Sequence, residues 1–416
     1  MAFVRRTSPL CFAASLAVIA FVSSANAADF TIENVSVQQP DKKGTVTIKS
    51  IAVRGSNLSR EEFMRMYDPA TSKEDSLALV KKLQAASISV PEVMLTRNDD
   101  KPGKIVFKGY EIAGFDQGKF AKFAIAGMDG KFKPEADGGE VSVKAGNLLL
   151  EDCDFSKLLE AAAKGDLSES TTRIGKLSFR DFEVLFPEKN PAGPMIHTIR
   201  IASITANASY EGNLPLKSIA EAKGVAFIPA ANSGAATAME QVGYKQVDAS
   251  VRGEGTYNPG SRAYELSDFA LSGVNVGVLS LKGLFGAVGP EAFNGGQTAR
   301  IGALMASEIS NLTLRYADNG LFDKALVFFA KMNGKDPKAV RQEWAGMVAG
   351  VLPMVLGGDP GGLKLASAIS DFVKTPKSLT ISVKGKAGPV RISDLQQIGD
   401  PTELVKRIDI EASANK

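Results

Sequence analysis

The chain has 416 residues, 44% of them hydrophobic and 23% charged, and its formal net charge is +3 at pH 7. This length suits two or three globular domains. A charge so close to zero argues against nucleic acid as a partner and against attraction to anionic lipid by net charge. The single histidine excludes zinc motifs that need two histidines, and neither a Walker loop nor a G-x-S-x-G motif occurs. The sequence therefore predicts no metal, no cofactor and no enzymatic activity.

The N-terminus is typical of a secretory signal peptide. Arg5 and Arg6 precede an apolar run at residues 11–22 (CFAASLAVIAFV), and residues 25–27 (ANA) form a small-residue cleavage motif. The apolar run is too short to cross a bilayer on its own, so we expect cleavage after Ala27. An uncleaved membrane anchor is the alternative. Cleavage would lower the formal charge to +1, with 47 basic against 46 acidic residues.

The first half of the mature chain has the pattern of short strands and turns. Residues 30–37 and 45–53 alternate with period two on either side of a polar loop, which predicts an antiparallel hairpin. Further strands are predicted at 89–97, 105–112, 120–126 and 141–150.

Capping residues mark three helices in this half. Ser59 and Glu62 form a capping box for a short helix, and a second helix begins near Ser72. Asp154 caps a third helix, which Gly165 ends.

The second half repeats this pattern and then changes. Strands are predicted at 177–185, 196–209, 244–257, 265–271, 277–284, 309–316 and 378–384, and residues 216–234 are ambiguous. Residues 319–374 are the longest helical stretch. Within it, the segment Gly357-Gly358-Asp359-Pro360 is either an anion-binding loop or a helix end followed by a new N-cap, and we favour the second.

Two eighteen-residue segments resemble each other without a gap: residues 110–127 (YEIAGFDQGKFAKFAIAG) and 269–286 (FALSGVNVGVLSLKGLFG). Their glycines coincide at three positions, where hairpins need backbone angles that other residues resist. Flanking segments match in the same order, namely 48–53 with 201–206, 147–150 with 311–314, and 155–159 with 322–326. A duplication is predicted, with chance similarity between hairpins as the alternative. The predicted division is a signal peptide (1–27), β-rich unit 1 (28–168), related β-rich unit 2 (169–335), and a helical insertion with closing strands (336–416).

The helical insertion contains an uncharged run at residues 344–358. As a helix it would be about 22 Å long, short of the roughly 30 Å hydrocarbon core of a membrane. Apolar residues recur in it at helical spacing, so packing in the core is one interpretation. Contact with a membrane surface or an apolar ligand is the other. The candidate contact residues are Phe328, Trp344, Met347, Val351 and Met354.

A few residues could carry chemistry. His197 lies in a predicted strand, where a residue with one wet face is a simpler interpretation than a catalytic base. Cys153 lies among acids that would raise its pKa, so we expect a packing residue and not a reactive thiol. Clustered acids could serve a hydrolase or bind calcium, but each cluster falls at a turn or a helix cap, where acids are common. The clusters are Asp99 with Asp100, Asp137 with Glu140, and Glu151 and Asp152 with Asp154.

The segments NLTLRYADNGLFDKAL and SLTISVKGKAGPV resemble those of uncharacterised periplasmic proteins of Gram-negative bacteria, over about residues 265–414. More distantly, the repeated strand–Gly–strand units are similar to β-rich envelope proteins of the AsmA type. That resemblance implies a periplasmic location and lipid handling or envelope upkeep. This chain differs from that type because no membrane anchor is evident after cleavage, and the resemblance assigns no functional residues.

The sequence thus predicts an α+β fold, mainly antiparallel β, with two tandem hairpin-plus-helix units and a helical insertion near the C-terminus. The expected function is that of a non-enzymatic exported envelope protein. It would bind an apolar ligand, foremost a lipid, or an envelope protein along an extended sheet, with peripheral membrane contact. The alternatives are a carboxylate-dependent periplasmic hydrolase and a purely structural assembly factor.

Overall fold

The computed structural model describes residues 27–38, 43–68, 70–99, 101–134, 139–164, 172–188, 193 and 195–416. The predicted signal peptide lies outside the described residues, apart from Ala27, and so do Asp100, Asp137 and Gly165. The chain forms two compact units that divide between Asn207 and Ala208. They are called unit 1 and unit 2 below.

Strands make up 51% of the structure and helices 28%, and the strand pairs are antiparallel, so the predicted fold class is confirmed. The strands are β1 (Ala28–Gln38), β2 (Gly44–Ser56), β3 (Gln84–Arg97), β4 (Gly103–Asp116), β5 (Lys119–Ile125), β6 (Gly127–Phe132), β7 (Val141–Ala145), β8 (Leu148–Asp154), β9 (Arg173–Glu188), β10 (Met195–Glu211), β11 (Leu214–Ile228), β12 (Val247–Asn258), β13 (Ala263–Gly273), β14 (Gly277–Gly286), β15 (Glu308–Asp318), β16 (Ser378–Gly385), β17 (Val390–Arg391) and β18 (Ile408–Ala414).

The helices connect strands or follow them. They are α1 (Arg60–Arg65), α2 (Lys73–Lys82), α3 (Ser156–Lys164), α4 (Gly234–Gln241), α5 (Glu291–Asn294), α6 (Gln297–Ala306), α7 (Leu321–Met332), α8 (Pro337–Val355), α9 (Pro360–Lys374), α10 (Ile392–Gln396) and α11 (Pro401–Arg407).

Unit 1 is a sheet in which β1, β2, β3 and β4 pair in sequence order. β4 pairs with β5 along one half and with β6 along the other. β5 continues to β8 and β6 to β7, and both branches rejoin on the long strand β9, which pairs with β10. The apolar face of β1–β5 and β8 packs under the helices around Phe63, Ile51 and Leu83, none of which is exposed.

Local signals account for the helices of unit 1. Ser59 accepts from the Glu62 amide, and the Glu62 carboxylate accepts from the Ser59 amide, so the predicted capping box of α1 is present. Ser72 caps α2 in the same way, by accepting from the Asp75 amide. The Asp154 carboxylate accepts from the Ser156 amide at the start of α3.

The predicted strand at 141–150 is wrong in one respect, because it is two strands, β7 and β8, with a break at Gly146 and Asn147. The break matches a distortion in the neighbouring β9, where Asp181 has a φ of 56°. The Gly146 amide donates to the Arg180 carbonyl oxygen, and the Arg180 amide donates to that of Asn147. A Cβ on Gly146 would lie 3.0 Å from the Arg180 carbonyl oxygen, so the close approach favours glycine.

In unit 2, strands β11, β12, β13, β14 and β15 pair in sequence order. β15 then pairs with β16 and β17, and β16 pairs with β18. The predicted hairpins at the turn 258–261 and at 265–284 are both present. The ambiguous segment 216–234 belongs mainly to β11.

The predicted helical stretch 319–374 is three helices, α7, α8 and α9. The caps follow the interpretation that we favoured, because Asp336 and Asp359 are N-caps and Pro337 and Pro360 are the first helical residues. Gly357 and Gly358 have φ values of 64° and 73° and end α8.

The two units share a strand order. In unit 1, β3, β4, β5, β8 and β9 are successive neighbours, and α3 connects β8 to β9. In unit 2, β12, β13, β14, β15 and β16 are successive neighbours, and α7, α8 and α9 connect β15 to β16. The chain between β5 and β8 is a hairpin, whereas that between β14 and β15 is helical.

The matched hairpins differ in register. In unit 1, Ile112 pairs with Phe123. The sequence counterpart of Ile112 is Leu271, and it pairs with Leu279. Leu279 lies three positions before the sequence counterpart of Phe123. The matched flanks at 48–53 and 201–206 lie on β2 and β10, which do not hold equivalent places in the shared strand order. The duplication and the predicted boundaries at 168/169 and 335/336 stay predictions.

Candidate functional site

The sheet of unit 2 has one apolar and one polar face. Cross-strand pairing aligns Val251, Leu271, Leu279 and Tyr316 in one row over β12–β15. A second row contains Gly253, Phe269, Leu281 and Leu314. Directly paired residues point to the same side of a sheet, so the two rows lie side by side on one face. We call these eight residues the apolar rows.

The apolar rows are partly open to solvent. Leu271 is 46% exposed and Leu314 is 37% exposed, and the other large side chains of the rows are half-buried. A Cβ added to Gly253 would meet no atom within 4 Å, so the space above this position is empty. Contiguous apolar surface that is open to solvent on neighbouring strands can mark an interaction site.

Helices cover the apolar face on one side of the rows. α9 packs on β16 and β18, where Ile381, Val383 and Ile410 join a cluster with Leu356 and Val405. The ring of Phe372 on α9 contacts that of Tyr316, with 5.9 Å between the centroids. α9 therefore covers the rows at Tyr316, whereas Leu271 and Leu314 keep exposed fractions of 46% and 37%.

Aromatic residues close one strand end of the rows. Phe293 of α5 packs on Tyr257 and Tyr264, with centroid distances of 4.6 and 5.9 Å. The Tyr257 hydroxyl donates to the Val288 carbonyl oxygen.

The opposite strand end carries polar groups around the β13–β14 turn. The Asp318 carboxylate accepts from the amides of Gly320 and Phe322 at the start of α7, and its Oδ1 lies 2.8 Å from the Tyr316 hydroxyl. Burial and this neighbouring carboxylate raise the pKa of Tyr316, so its hydroxyl stays protonated. The Tyr244 hydroxyl donates to the Asn275 carbonyl oxygen, and the Lys324 ammonium lies over the Tyr244 ring.

The other face of the sheet is polar. Arg252 contacts Glu254 at 2.9 Å and Asp268 at 3.2 Å, and Lys217 contacts Glu254 at 3.0 Å. These cations lower the pKa of Glu254, the Lys217 hydrogen bond most of all. The paired hydroxyls of Thr313 and Ser382 extend the polar surface across β15 and β16. These charged and polar groups are readily hydrated, so solvent exposure of this face is expected. Solvent exposure of the apolar face is not expected and needs an explanation.

The predicted contact residues are not brought together. Trp344 is half-buried, and its ring contacts Phe322 and Phe329 beside a cluster that includes Leu326 and Val340. Phe328 is also half-buried.

Met347, Val351 and Met354 lie instead on the outer side of α8, exposed by 51%, 51% and 79%. Of the fifteen residues 344–358, nine are exposed. Gly346 and Gly350 have open space above them. The interpretation of this segment as core packing therefore holds for Trp344 and Ala345 but not for the outer side of α8, which we call the α8 outer face.

The described acids of the sequence clusters are in ion pairs or caps. Arg97 holds the pKa of Asp99 well below its usual range by donating to its carboxylate. Ion pairs join Glu140 to Lys131, Glu151 to Lys176 and Asp152 to Arg173. Across the described ranges, no group of three or more His, Cys, Asp or Glu side chains could hold a metal ion.

His197 and Cys153 are both buried. The expectation of one wet face for His197 is wrong: the side chain is 4% exposed, stacks on Phe186 and lies 2.8 Å from a Glu188 carboxylate oxygen. Cys153 packs in the core of unit 1, as predicted, and burial raises the pKa of its thiol to about 12.

Sequence reasoning missed the apolar rows as a site. Apolar and polar residues alternate in each strand, as in FALSG, VLSLKG and LTLRY, and this alternation predicts an apolar face. Alternation does not say which strands are neighbours or whether a helix covers them. Within the part of the chain that is described, no helix is long and apolar enough to span a membrane.

A family model described as "Uncharacterized protein" matches residues 270–415. The match lies within unit 2 and confirms the resemblance to an uncharacterised family over nearly the predicted span. It covers the end of β13, all of β14–β18 and the intervening helices. No curated protein and no solved structure matches the chain.

Proposed function

We propose that this is a non-enzymatic exported protein of the cell envelope that binds the hydrocarbon part of a lipid on the apolar rows of unit 2. The observation that carries the proposal is the pairing of Leu271 with Leu279 and of Leu281 with Leu314, on a sheet face that α9 contacts at Tyr316 and α5 contacts at the strand ends of β12 and β13. Hydrocarbon bound there would remove apolar surface from water, which stabilises a complex by about 25 cal/mol per Å² of buried apolar area.

The empty space above Gly253 supports a ligand of linear shape. Gly253 lies between Ala220 and Phe269 in its row, so two small residues adjoin a large one. An alkyl chain could lie along this step and contact Phe269 and Leu281 at its side. Neighbouring strands are about 4.8 Å apart, so a chain crossing β12–β15 would extend over roughly 15 Å of sheet.

The predicted signal peptide and the distant similarity to envelope proteins of the AsmA type support the compartment and the ligand class. A lipid-binding protein in the periplasm would have to exchange its ligand with a membrane. The α8 outer face suits that contact, because it presents uncharged residues with Met354 as the most exposed. We include peripheral membrane contact through this face in the proposal.

The test begins with the full chain, exported in a Gram-negative bacterium and purified from the periplasmic fraction without detergent. Native mass spectrometry and lipid extraction should show a bound lipid. Leu314→Asp should reduce the bound fraction at least about tenfold, because it places a charge beneath the hydrocarbon. Asn311→Asp is the matched control: it adds the same charge on the same strand but on the polar face, and should keep the lipid.

The outcomes separate the competing functions. If no form of the protein carries lipid and vesicles do not retain it, lipid binding is wrong. Capture of specific envelope proteins by a lipid-free chain would instead support a structural assembly factor. Recovery of the chain from the cytoplasmic fraction alone would contradict export.

A further inference from the structure

Lys324 of α7 is held in place at the turn end of the apolar rows. Its Nζ lies 3.7 Å from the centroid of the Tyr244 ring. Its Cγ, Cδ and Cε atoms would be 3.5–3.7 Å from a Cβ on Gly243, so the stem passes beside this glycine. A lysine whose ammonium lies over an aromatic ring has lost part of its usual freedom and presents its charge in a defined direction.

This ammonium has no anionic partner in the described chain. Other lysines of unit 2 do form ion pairs, as Lys335 does with Glu343 and Lys364 with Glu411. The nearest acid in sequence, Asp323, forms an ion pair with Arg341. Asp318, at the start of the same helix, accepts from the amides of Gly320 and Phe322 and from the Tyr316 hydroxyl. Lys324 therefore offers an unneutralised positive charge over the half-buried Tyr244 ring.

Tyr244 connects the Lys324 ammonium to the turn at one end of the apolar rows. The Tyr244 hydroxyl donates to Asn275, which is in the turn that joins β13 to β14. Leu271 and Leu279 are the last apolar pair before the closing pair Gly273 and Gly277. One such step along a strand is two residues, or about 7 Å. A hydrocarbon chain on the rows would thus bring a terminal head group to the region of Lys324.

We infer that the ligand of the apolar rows is an anionic amphiphile with its carboxylate or phosphate group bound by Lys324. The inference rests on the proposed function, and it adds the polarity and direction of the bound molecule. The hydrocarbon lies on Leu271, Leu279 and Leu281 and extends toward Leu314. The head group stays at the solvent-accessible turn, where Lys324 donates hydrogen bonds to it.

The test measures the affinity of the full chain for three probes with the same oleoyl hydrocarbon: oleate, an oleoyl lysophosphatidate and oleyl alcohol. At least one anion should bind more tightly than the alcohol. Lys324→Gln should weaken that anion about tenfold, in line with the loss of one charge-assisted contact, and leave the alcohol unchanged. Lys324→Arg should restore the affinity. The anion whose affinity falls more in Lys324→Gln identifies the head group as a carboxylate or a phosphate.

Lys331→Gln is the matched control, because Lys331 lies on the same helix two turns away, is exposed, and changes the charge equally. Its affinities should equal those of the unsubstituted chain. Equal affinity of all three probes, or an equal effect of Lys324→Gln and Lys331→Gln, overturns the role of Lys324 while lipid binding stands. Failure of all three probes to bind overturns the proposed function as well.

Discussion

Gly253 and Phe269 are directly paired across β12 and β13, and the position above Gly253 is empty while Phe269 is only half-buried. A glycine beside a large aromatic residue leaves a step in the apolar face of unit 2. Two residues along the same strand, Gly255 has the opposite surroundings, because a Cβ there would overlap the Tyr264 hydroxyl. The two glycines on one face therefore form a natural pair for mutagenesis.

We expect Gly253→Leu to block lipid binding without loss of stability. The new side chain fills the space of the ligand, and glycine inside a strand costs roughly 0.5–1 kcal/mol relative to a residue with a side chain. Gly255→Leu should instead lower the free energy of unfolding by about 1–3 kcal/mol through overpacking. Urea unfolding and the lipid content of the purified proteins check both. Unchanged lipid content in Gly253→Leu would place the ligand elsewhere.

Met354→Glu should weaken the binding of the chain to vesicles of phosphatidylethanolamine and phosphatidylglycerol. Withdrawing one buried methionine from a membrane surface costs about 1.5–3 kcal/mol, which corresponds to tenfold or more in partitioning. Gln342→Glu adds the same charge at an exposed position nearer the start of α8 and serves as the control. Vesicle co-sedimentation measures both, and equal binding of the two variants would contradict membrane contact through the α8 outer face.

Phe372→Ala should destabilise unit 2. Phe372 is buried on α9 and its ring contacts Tyr316 at 5.9 Å and Phe322 at 5.4 Å, so it joins the helices to the sheet. Truncating such a phenylalanine costs about 3–5 kcal/mol. Leu363→Ala on the same helix, where Leu363 is exposed, should change the free energy of unfolding by less than about 0.5 kcal/mol. Similar urea midpoints for the two variants would show that α9 is not anchored through Phe372.

Asp359→Asn should destabilise the protein at neutral pH but not in acid. The Gly361 amide, followed by Lys386, lowers the pKa of Asp359 from 3.8. A carboxyl with a lowered folded-state pKa contributes stability above its unfolded pKa, and that stability is lost as pH falls through the folded pKa. The urea midpoints of the two proteins should therefore differ at neutral pH and converge in strong acid. A constant difference at every pH would assign the effect to shape and not to charge.

Cys153 should be inert to thiol reagents in the folded protein. Burial, with a smaller effect of Asp152, raises the pKa of its thiol from 9.0 to about 12. Only the thiolate reacts, so its population at pH 8 falls about a thousandfold, and reagent access is blocked as well. A chromogenic disulfide reagent should react stoichiometrically in urea and very slowly without it. Fast labelling of the native chain would show that the core of unit 1 opens readily.

Local features of the fold were predictable because their causes lie within a few residues. The capping box of Ser59 and Glu62 and the caps Asp154 and Asp359 each join a side chain to an amide two or three residues away. The hairpin of β13 and β14 follows from alternation around a turn. The break at Gly146 was not predictable, since its cause is the backbone of Arg180 and Asp181 on a neighbouring strand.

The candidate site likewise has features that were predictable from the sequence and features that were not. The spacing of Val340, Trp344, Met347 and Val351 predicts an amphipathic helix. The same spacing occurs whether an apolar side chain packs against another part of the protein or faces water. Only the packing of α7, α8 and α9 decided that Trp344 faces Phe322 while Met347 and Val351 face outward.

By itself the sequence determined the secondary structure of most segments, the apolar and polar sides of each strand, and the starts of the capped helices α1, α2, α3 and α9, because backbone hydrogen bonding and side-chain periodicity are local. The helices α4, α5, α6, α10 and α11 were not predicted. Tertiary structure alone decided the registers that align Leu271 with Leu279 and Leu281 with Leu314, and the extent of the helical cover. Registers and cover depend on contacts between residues far apart in the chain. The apolar rows are formed only by these tertiary contacts, so the proposed ligand could be inferred only from the tertiary structure.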